Sequence, residues 1–125
     1  PDLRKFKAAG GKLLIYQGWN DTDDLPAMTI DYYETLERTM GGSESTRDFA
    51  RLFMVPGMNH CSWGDGAFVI DYLSALEKWV ENNQPPEKLI GAHVTNLPWE
   101  DAGGLAPLDQ NKSVAFTRPI YPYPQ

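Results

Sequence analysis

Cysteine is nearly missing: Cys61 is the only one in 125 residues. No disulfide framework can be built within the chain, and Cys61 alone reads either as a buried free thiol or as half of a bridge to sequence elsewhere. Basic residues are also scarce, 11 Lys and Arg against 17 Asp and Glu, for a formal net charge of −6. No Lys/Arg cluster forms a local exception, so the field repels nucleic acid phosphates and anionic lipid, and a neutral or small organic substrate is expected. Long apolar runs are absent. The longest, Leu13 to Tyr16 and Leu52 to Pro56, fall far short of the roughly 20 residues that span a bilayer, so no membrane segment is expected. The start, Pro1-Asp2-Leu3-Arg4-Lys5, has neither an initiator Met nor a basic stretch followed by an apolar one. It is not a signal peptide and reads as an internal cut. There is no internal repeat, no domain boundary and no Gly-x-Ser-x-Gly.

What is present is an ordinary globular composition, 42% hydrophobic and 22% charged. A compact chain of this length buries about two-thirds of its unfolded surface in one modest core. Lys12 to Gly18 is an apolar run without period-2 alternation, as expected of a parallel strand buried on both faces. Ala27, Ile30, Tyr33, Leu36 and Met40 recur at helical spacing before Gly41-Gly42. Ser43 to Arg47 reads as a surface loop, and Phe49 to Val55 as a second buried strand ended by Pro56-Gly57. Val69, Tyr72, Leu73, Leu76, Trp79 and Val80 mark one face of another helix, opposite Asp71, Glu77, Lys78 and Glu81 and stopping before Pro85-Pro86. Strands at Leu89 to Val94 and Ser113 to Thr117 flank a Gly/Pro-rich loop from Asn96 to Lys112. The tail, Arg118 to Gln125, carries three prolines and must be extended. The expected class is α/β, in the order β-α-β-α with an extended strand-bearing tail. Two such units make only the edge of a sheet, whose flank should be covered by further sequence.

In an open parallel sheet, functional side chains sit on loops beyond the C-terminal strand ends, so the loops after Gln17 and after Val55 lie side by side. The first holds Gly18-Trp19-Asn20-Asp21-Thr22-Asp23-Asp24, the second Pro56-Gly57-Met58-Asn59-His60-Cys61-Ser62-Trp63. A carboxylate then a histidine on neighbouring loops is the order that ends the Ser, Asp, His sequence of an α/β-hydrolase. Asp21 and His60 fit it, the acid holding Nδ1 so that Nε2 is free to take a proton. Taken singly, Asp21 also reads as a loop carboxylate capping the next helix, and His60 as a satisfied loop histidine. Asp23 and Asp24 are rival acids, although Asp24 looks placed to cap the helix near Pro26. The three carboxylates lack the central Gly and distal Glu of an EF-hand, so no metal site is assigned. Ser62 lacks the strand-to-helix elbow of a nucleophile and is read as a polar loop residue. His93 lies in a strand away from both loops. Trp19 and Trp63 are placed to pack an aromatic acyl group or simply to wall off the loops.

The block Gly11-Lys12-Leu13-Leu14-Ile15-Tyr16-Gln17-Gly18-Trp19-Asn20-Asp21, with Thr29-Ile30-Asp31-Tyr32-Tyr33, Phe53-Met54-Val55-Pro56-Gly57-Met58-Asn59-His60-Cys61 and Arg118-Pro119-Ile120-Tyr121-Pro122-Tyr123-Pro124, resembles the C-terminal part of the tannase and feruloyl esterase family. The resemblance runs through most of the chain. It implies that residues 1–125 are a C-terminal fragment of a single α/β-hydrolase domain from a secreted serine esterase, extracellular or periplasmic. Such an enzyme cleaves gallate, ferulate or related aromatic esters. It further implies Asp21 as triad acid, His60 as general base, and Cys61 as a half-cystine bonded to the cysteine before the nucleophilic serine. That bridge would tie this chain to the N-terminal portion of the same protein and would require an oxidising compartment.

The family's serine, oxyanion-hole donors and lid domain match nothing here. No cofactor is expected in this fragment, and the calcium implied by resemblance belongs to the lid. The family often has a cysteine where this chain has Tyr121, so a second disulfide in the tail does not carry over. The fragment alone should be inactive. A different aromatic monoester is a further substrate option. The rival reading is a non-catalytic α/β interaction module, in which the side chains of Asp21 and His60 would stand apart.

Overall fold

Two parallel strands lie at the centre of the molecule, β1 (Leu13–Gly18) and β2 (Ala50–Val55), in register from Leu13 beside Ala50 to Gly18 beside Val55. The description comes from a computed structural model and covers residues 1–95 and 113–125; the expected Asn96 to Lys112 loop lies outside the described residues. Every residue of β2 is buried. Ala50, Leu52 and Met54 pack with Tyr33, Leu36, Met40 and Phe49 on one face, while Phe53 and Val55 pack with Phe68, Tyr72 and Leu89 on the other. That two-sided burial is what a non-alternating apolar run predicts, and truncating Phe53 to Ala would remove about 3–5 kcal/mol. Arg51 is tolerated there because its guanidinium donates to the Arg47 carbonyl (2.6 Å) and to Glu87 (3.1 Å). It also lies over the Trp79 ring.

β1 departs from the expected burial. All but Gly18 are half-buried, because β1 pairs with β2 on one edge and with no strand on the other among the described residues. The helix α2 (Pro26–Thr39) follows the expected spacing, burying Tyr33 and Leu36, with Pro26 at its first turn, where a missing N–H costs nothing. A short helix, α1 (Arg4–Ala8), precedes β1 and carries no signal in the apolar pattern, since none of its residues is buried.

Four expectations need correction. Ser43–Arg47 is a helical turn, α3, rather than a loop: buried Thr46 donates through its hydroxyl to the Gly42 carbonyl at 2.9 Å. Val69 does not open a helix; Val69–Ile70 form β3, paired antiparallel with Ala92 and Gly91. The helix α4 (Tyr72–Asn82) starts after Asp71, which is not a surface residue of the helix but its cap, accepting from the Ser74 N–H at 3.0 Å. Asp24, finally, does not cap α2, whose N-terminal flanking residue is Leu25 and has no side-chain cap.

β4 (Leu89–Thr95) joins β3 to β5 (Ser113–Ile120) in an antiparallel sheet. β5 runs further than expected and includes Pro119, which an edge strand accommodates because one side needs no N–H. The extended tail then returns to β2: Pro122 bridges Phe53, the Tyr123 N–H donates to the Leu52 carbonyl (2.8 Å), and the Tyr123 hydroxyl donates to Glu34 (2.7 Å).

Candidate active site

Both candidate loops leave the same end of the parallel pair, after Gly18 and after Val55. They are stitched together by backbone hydrogen bonds from Trp19 N–H to the Val55 carbonyl and from Asn20 N–H to the Met58 carbonyl, each 3.0 Å. Gly18 makes the approach possible, since a Cβ there would collide with the backbone carbonyls of Met58 and Asn59. The second loop folds tightly on itself: Asn59 N–H bonds the Trp63 carbonyl (3.0 Å) and Ser62 N–H the His60 carbonyl (2.7 Å). Cys61 and Trp63 adopt left-handed φ of 61° and 63°, an uncommon conformation for residues with a Cβ and a mark of a constrained turn.

This stitching brings Asp21 Oδ2 to 3.0 Å from His60 Nδ1. Asp21 is buried, its side chain 2% exposed, whereas that of His60 is 46% exposed. Asp21 Oδ1 accepts the backbone N–H groups of Asp23 (2.9 Å) and Asp24 (3.0 Å), and Oδ2 also accepts the Gln17 amide at 2.6 Å. With His60, all four of the carboxylate's acceptor positions are filled. Burial pushes the Asp21 carboxyl up, but the N–H groups of Asp24 and Asp23, the His60 ring and Gln17 outweigh it and hold the group below its ordinary value of 3.8. The hydrogen bond and charge of Asp21 lift His60 above its ordinary 6.5, with smaller help from Asp24 and Asp23. An ionised acid thus orients Nδ1, and Nε2 is the nitrogen left to exchange protons with a reacting group.

Of the rival acids, Asp24 lies 3.7 Å from Nδ1 and is 75% exposed, while Asp23 contributes a backbone donor to Asp21. Donor atoms of Asp21, Asp23 and His60 fall within 4.8 Å of one another, but the hydrogen bonds above already use Nδ1 and both Asp21 oxygens. Trp19 is half exposed at the rim, and Trp63 packs against Phe68 with ring centroids 5.7 Å apart. Cys61 is exposed beside the histidine, and Ser62 is buried within the loop. His93 is elsewhere, bonded through Nδ1 to the Gly66 carbonyl (2.8 Å) and stacked on Phe116. Gln17, bonded to Asp21, and Thr29, bonded to Gln17, fall within the blocks that carry the family resemblance but are not among the site residues expected from sequence. Their one signal is that a polar amide closes an otherwise apolar strand four residues before the acid.

The tannase and feruloyl esterase family model matches residues 1–125. The chain belongs to the tannase and feruloyl esterase family. Among family relatives, it is 40% identical over 124 residues to a mono(2-hydroxyethyl) terephthalate hydrolase from Piscinibacter sakaiensis, covering 99% of this chain and 18% of that protein. A probable feruloyl esterase from Arthroderma benhamiae is 36% identical over 126 residues, covering 99% of this chain and 21% of its own length. In structure, the chain superimposes on an esterase from Aspergillus oryzae with a TM-score of 0.83 at 32% identity, over 98% of this chain and 25% of that one. The family's α/β fold is therefore present, as expected, and the chain spans about a fifth of the length of the curated relatives it matches. Among the described residues, no helix is long and apolar enough to cross a membrane.

Proposed function

We propose that the full-length protein is a secreted serine esterase for aromatic carboxylic esters, and that residues 1–125 are the portion of its single catalytic domain that supplies Asp21 and His60. The observation that carries this reading is the 3.0 Å contact between Asp21 Oδ2 and His60 Nδ1 on adjoining loops. A non-catalytic interaction module would leave these two side chains apart, whereas they are in hydrogen-bond contact.

In this reading the nucleophilic serine lies on sequence outside this chain. His60 Nε2 takes the serine proton as the oxygen attacks the ester carbonyl, and Asp21 stabilises the imidazolium that forms. The imidazolium then returns the proton to the leaving alcohol, giving an acyl-serine, and His60 activates a water to hydrolyse it. Aromatic acyl groups are favoured because two relatives are named for terephthalate and feruloyl esters, and because Trp19 on the Asp21 loop is half exposed, whereas Trp63 packs inward on Phe68. Cys61, exposed next to His60, is assigned the disulfide to the serine's segment, which accords with secretion.

The test is hydrolysis of feruloyl, galloyl and mono-terephthalate esters by the full-length protein and its His60→Gln variant. The proposal requires kcat to fall by several orders of magnitude in the variant, with KM little changed. Equal activity of the two proteins on every ester would overturn it.

A further inference from the structure

Asp21 reaches His60 from a loop, yet its geometry is set from the body of the fold. Gln17 is the penultimate residue of β1, paired with Met54 of β2, and its amide Nε2 donates to Asp21 Oδ2 at 2.6 Å and to the Asp24 carbonyl at 3.2 Å. Its Oε1 accepts the Thr29 hydroxyl at 3.0 Å from the first turns of α2. The amide can be oriented only one way, because the two acceptors surround the nitrogen and the hydroxyl is free to donate to the oxygen. Oδ2 is also the oxygen that holds His60 Nδ1. The run Thr29, Gln17, Asp21, His60 therefore links helix, strand, acid and base through three consecutive side-chain hydrogen bonds.

We propose that Gln17, held by Thr29, is a positioning residue of the esterase: it fixes the Asp21 carboxylate against α2 and β1, and so aims His60 Nε2 at the nucleophile. The inference rests on the triad reading above and adds a residue to it that touches neither substrate nor the reacting atoms. A carboxylate held only by its own loop could rotate about its side-chain bonds. With Gln17 the second donor on Oδ2 comes from an element that cannot move with the loop, and misplacement of a catalytic group by about 1 Å costs up to about 100-fold in rate. Replacing the amide by a carboxyl would set it against Asp21 Oδ2 and the Asp24 carbonyl, where the two carboxyl groups share one proton and the pair titrates above the usual carboxylate range, so activity that needs an ionised Asp21 appears only at higher pH.

The test uses the full-length esterase. Gln17→Leu should lower kcat up to about 100-fold at nearly constant KM, and Thr29→Val should act in the same direction while Thr29→Ser restores the wild-type rate. Gln17→Glu should move the acid limb of the kcat/KM profile to higher pH, a shift that a purely structural role would not produce. Because Gln17→Glu keeps the shape of the side chain, it decides the matter if Gln17→Leu proves unstable. If Asp21→Asn abolishes activity while Gln17→Leu retains kcat and Gln17→Glu leaves the limb in place, the positioning role is overturned and the triad stands. If Asp21→Asn is itself fully active, the triad reading fails, and this inference with it.

Discussion

Gly18 lies directly against the backbone carbonyls of Met58 and Asn59, with no room for a Cβ between them. That contact sets the separation of the Asp21 loop from the His60 loop. It is made by the last residue of β1 against the turn that follows β2, so the strand pairing itself delivers the acid to the base.

Gly18→Ala should therefore damage both stability and catalysis. A methyl group forced against fixed carbonyls costs about 1–3 kcal/mol, and the relief available is to push the two loops apart. Chemical denaturation of the full-length protein should show the loss, together with a fall in kcat. Wild-type values for both would mean that the loops are not held at this point.

The ion pair has a defined pH window. His60 is raised above 6.5, so its contribution to stability is complete below that value and is lost as pH rises through the folded-state pKa. Asp21 is lowered below 3.8, so its contribution is complete above that value and is lost as pH falls through its folded-state pKa. Between 3.8 and 6.5 both are in place. Urea midpoints of wild type and His60→Gln should differ most in that interval and converge above it. A difference that stays constant to about pH 9, far beyond any ordinary histidine range, would contradict the pairing.

On the proposed function, Cys61 should be found oxidised in full-length protein made in an oxidising compartment, linked to a cysteine next to the proposed nucleophilic serine. Non-reducing peptide mapping reads this directly. Cys61→Ser should then cost about 2–5 kcal/mol of stability. A fully alkylatable Cys61 in the untreated protein would remove the bridge from the proposal and leave the acid and base untouched.

The elements that position the site were legible because their signals were long-range in sequence and simple in kind. A largely apolar, non-alternating run at Phe49 to Val55, too short for a helix and closed by Pro56-Gly57, reads as a buried strand, and the helical spacing from Ala27 to Met40 matches α2 closely. What failed was local. Val69 has the right spacing to extend α4, but Asp71 supplies the cap and Val69 pairs with Ala92 instead. Ser43 to Arg47 is polar enough for a loop and becomes helical through the buried Thr46 and its bond to Gly42. In sequence, Asp24 is set apart from Asp21 by its expected place as the cap of α2, a place that Leu25 takes instead. The geometry separates Asp21 from Asp23 and Asp24 by burial and by the two backbone donors that the other acids provide. Gln17 was invisible as a partner, since its role depends on a three-dimensional path from Thr29 to Asp21 that no spacing encodes.

The most direct measurement is the pH dependence of kcat/KM for an aromatic ester, in the full-length wild type and in Asp21→Asn. A working pair places the wild-type acid limb above 6.5, where His60 loses its proton. In the variant, loss of the charge that favours the imidazolium moves the limb to lower pH, and the plateau falls on the order of 10^4-fold as the tautomer is lost. An Asp21→Asn enzyme with an unmoved limb and an unreduced plateau would contradict the assignment of Asp21 and His60 as the acid and base of the proposed esterase.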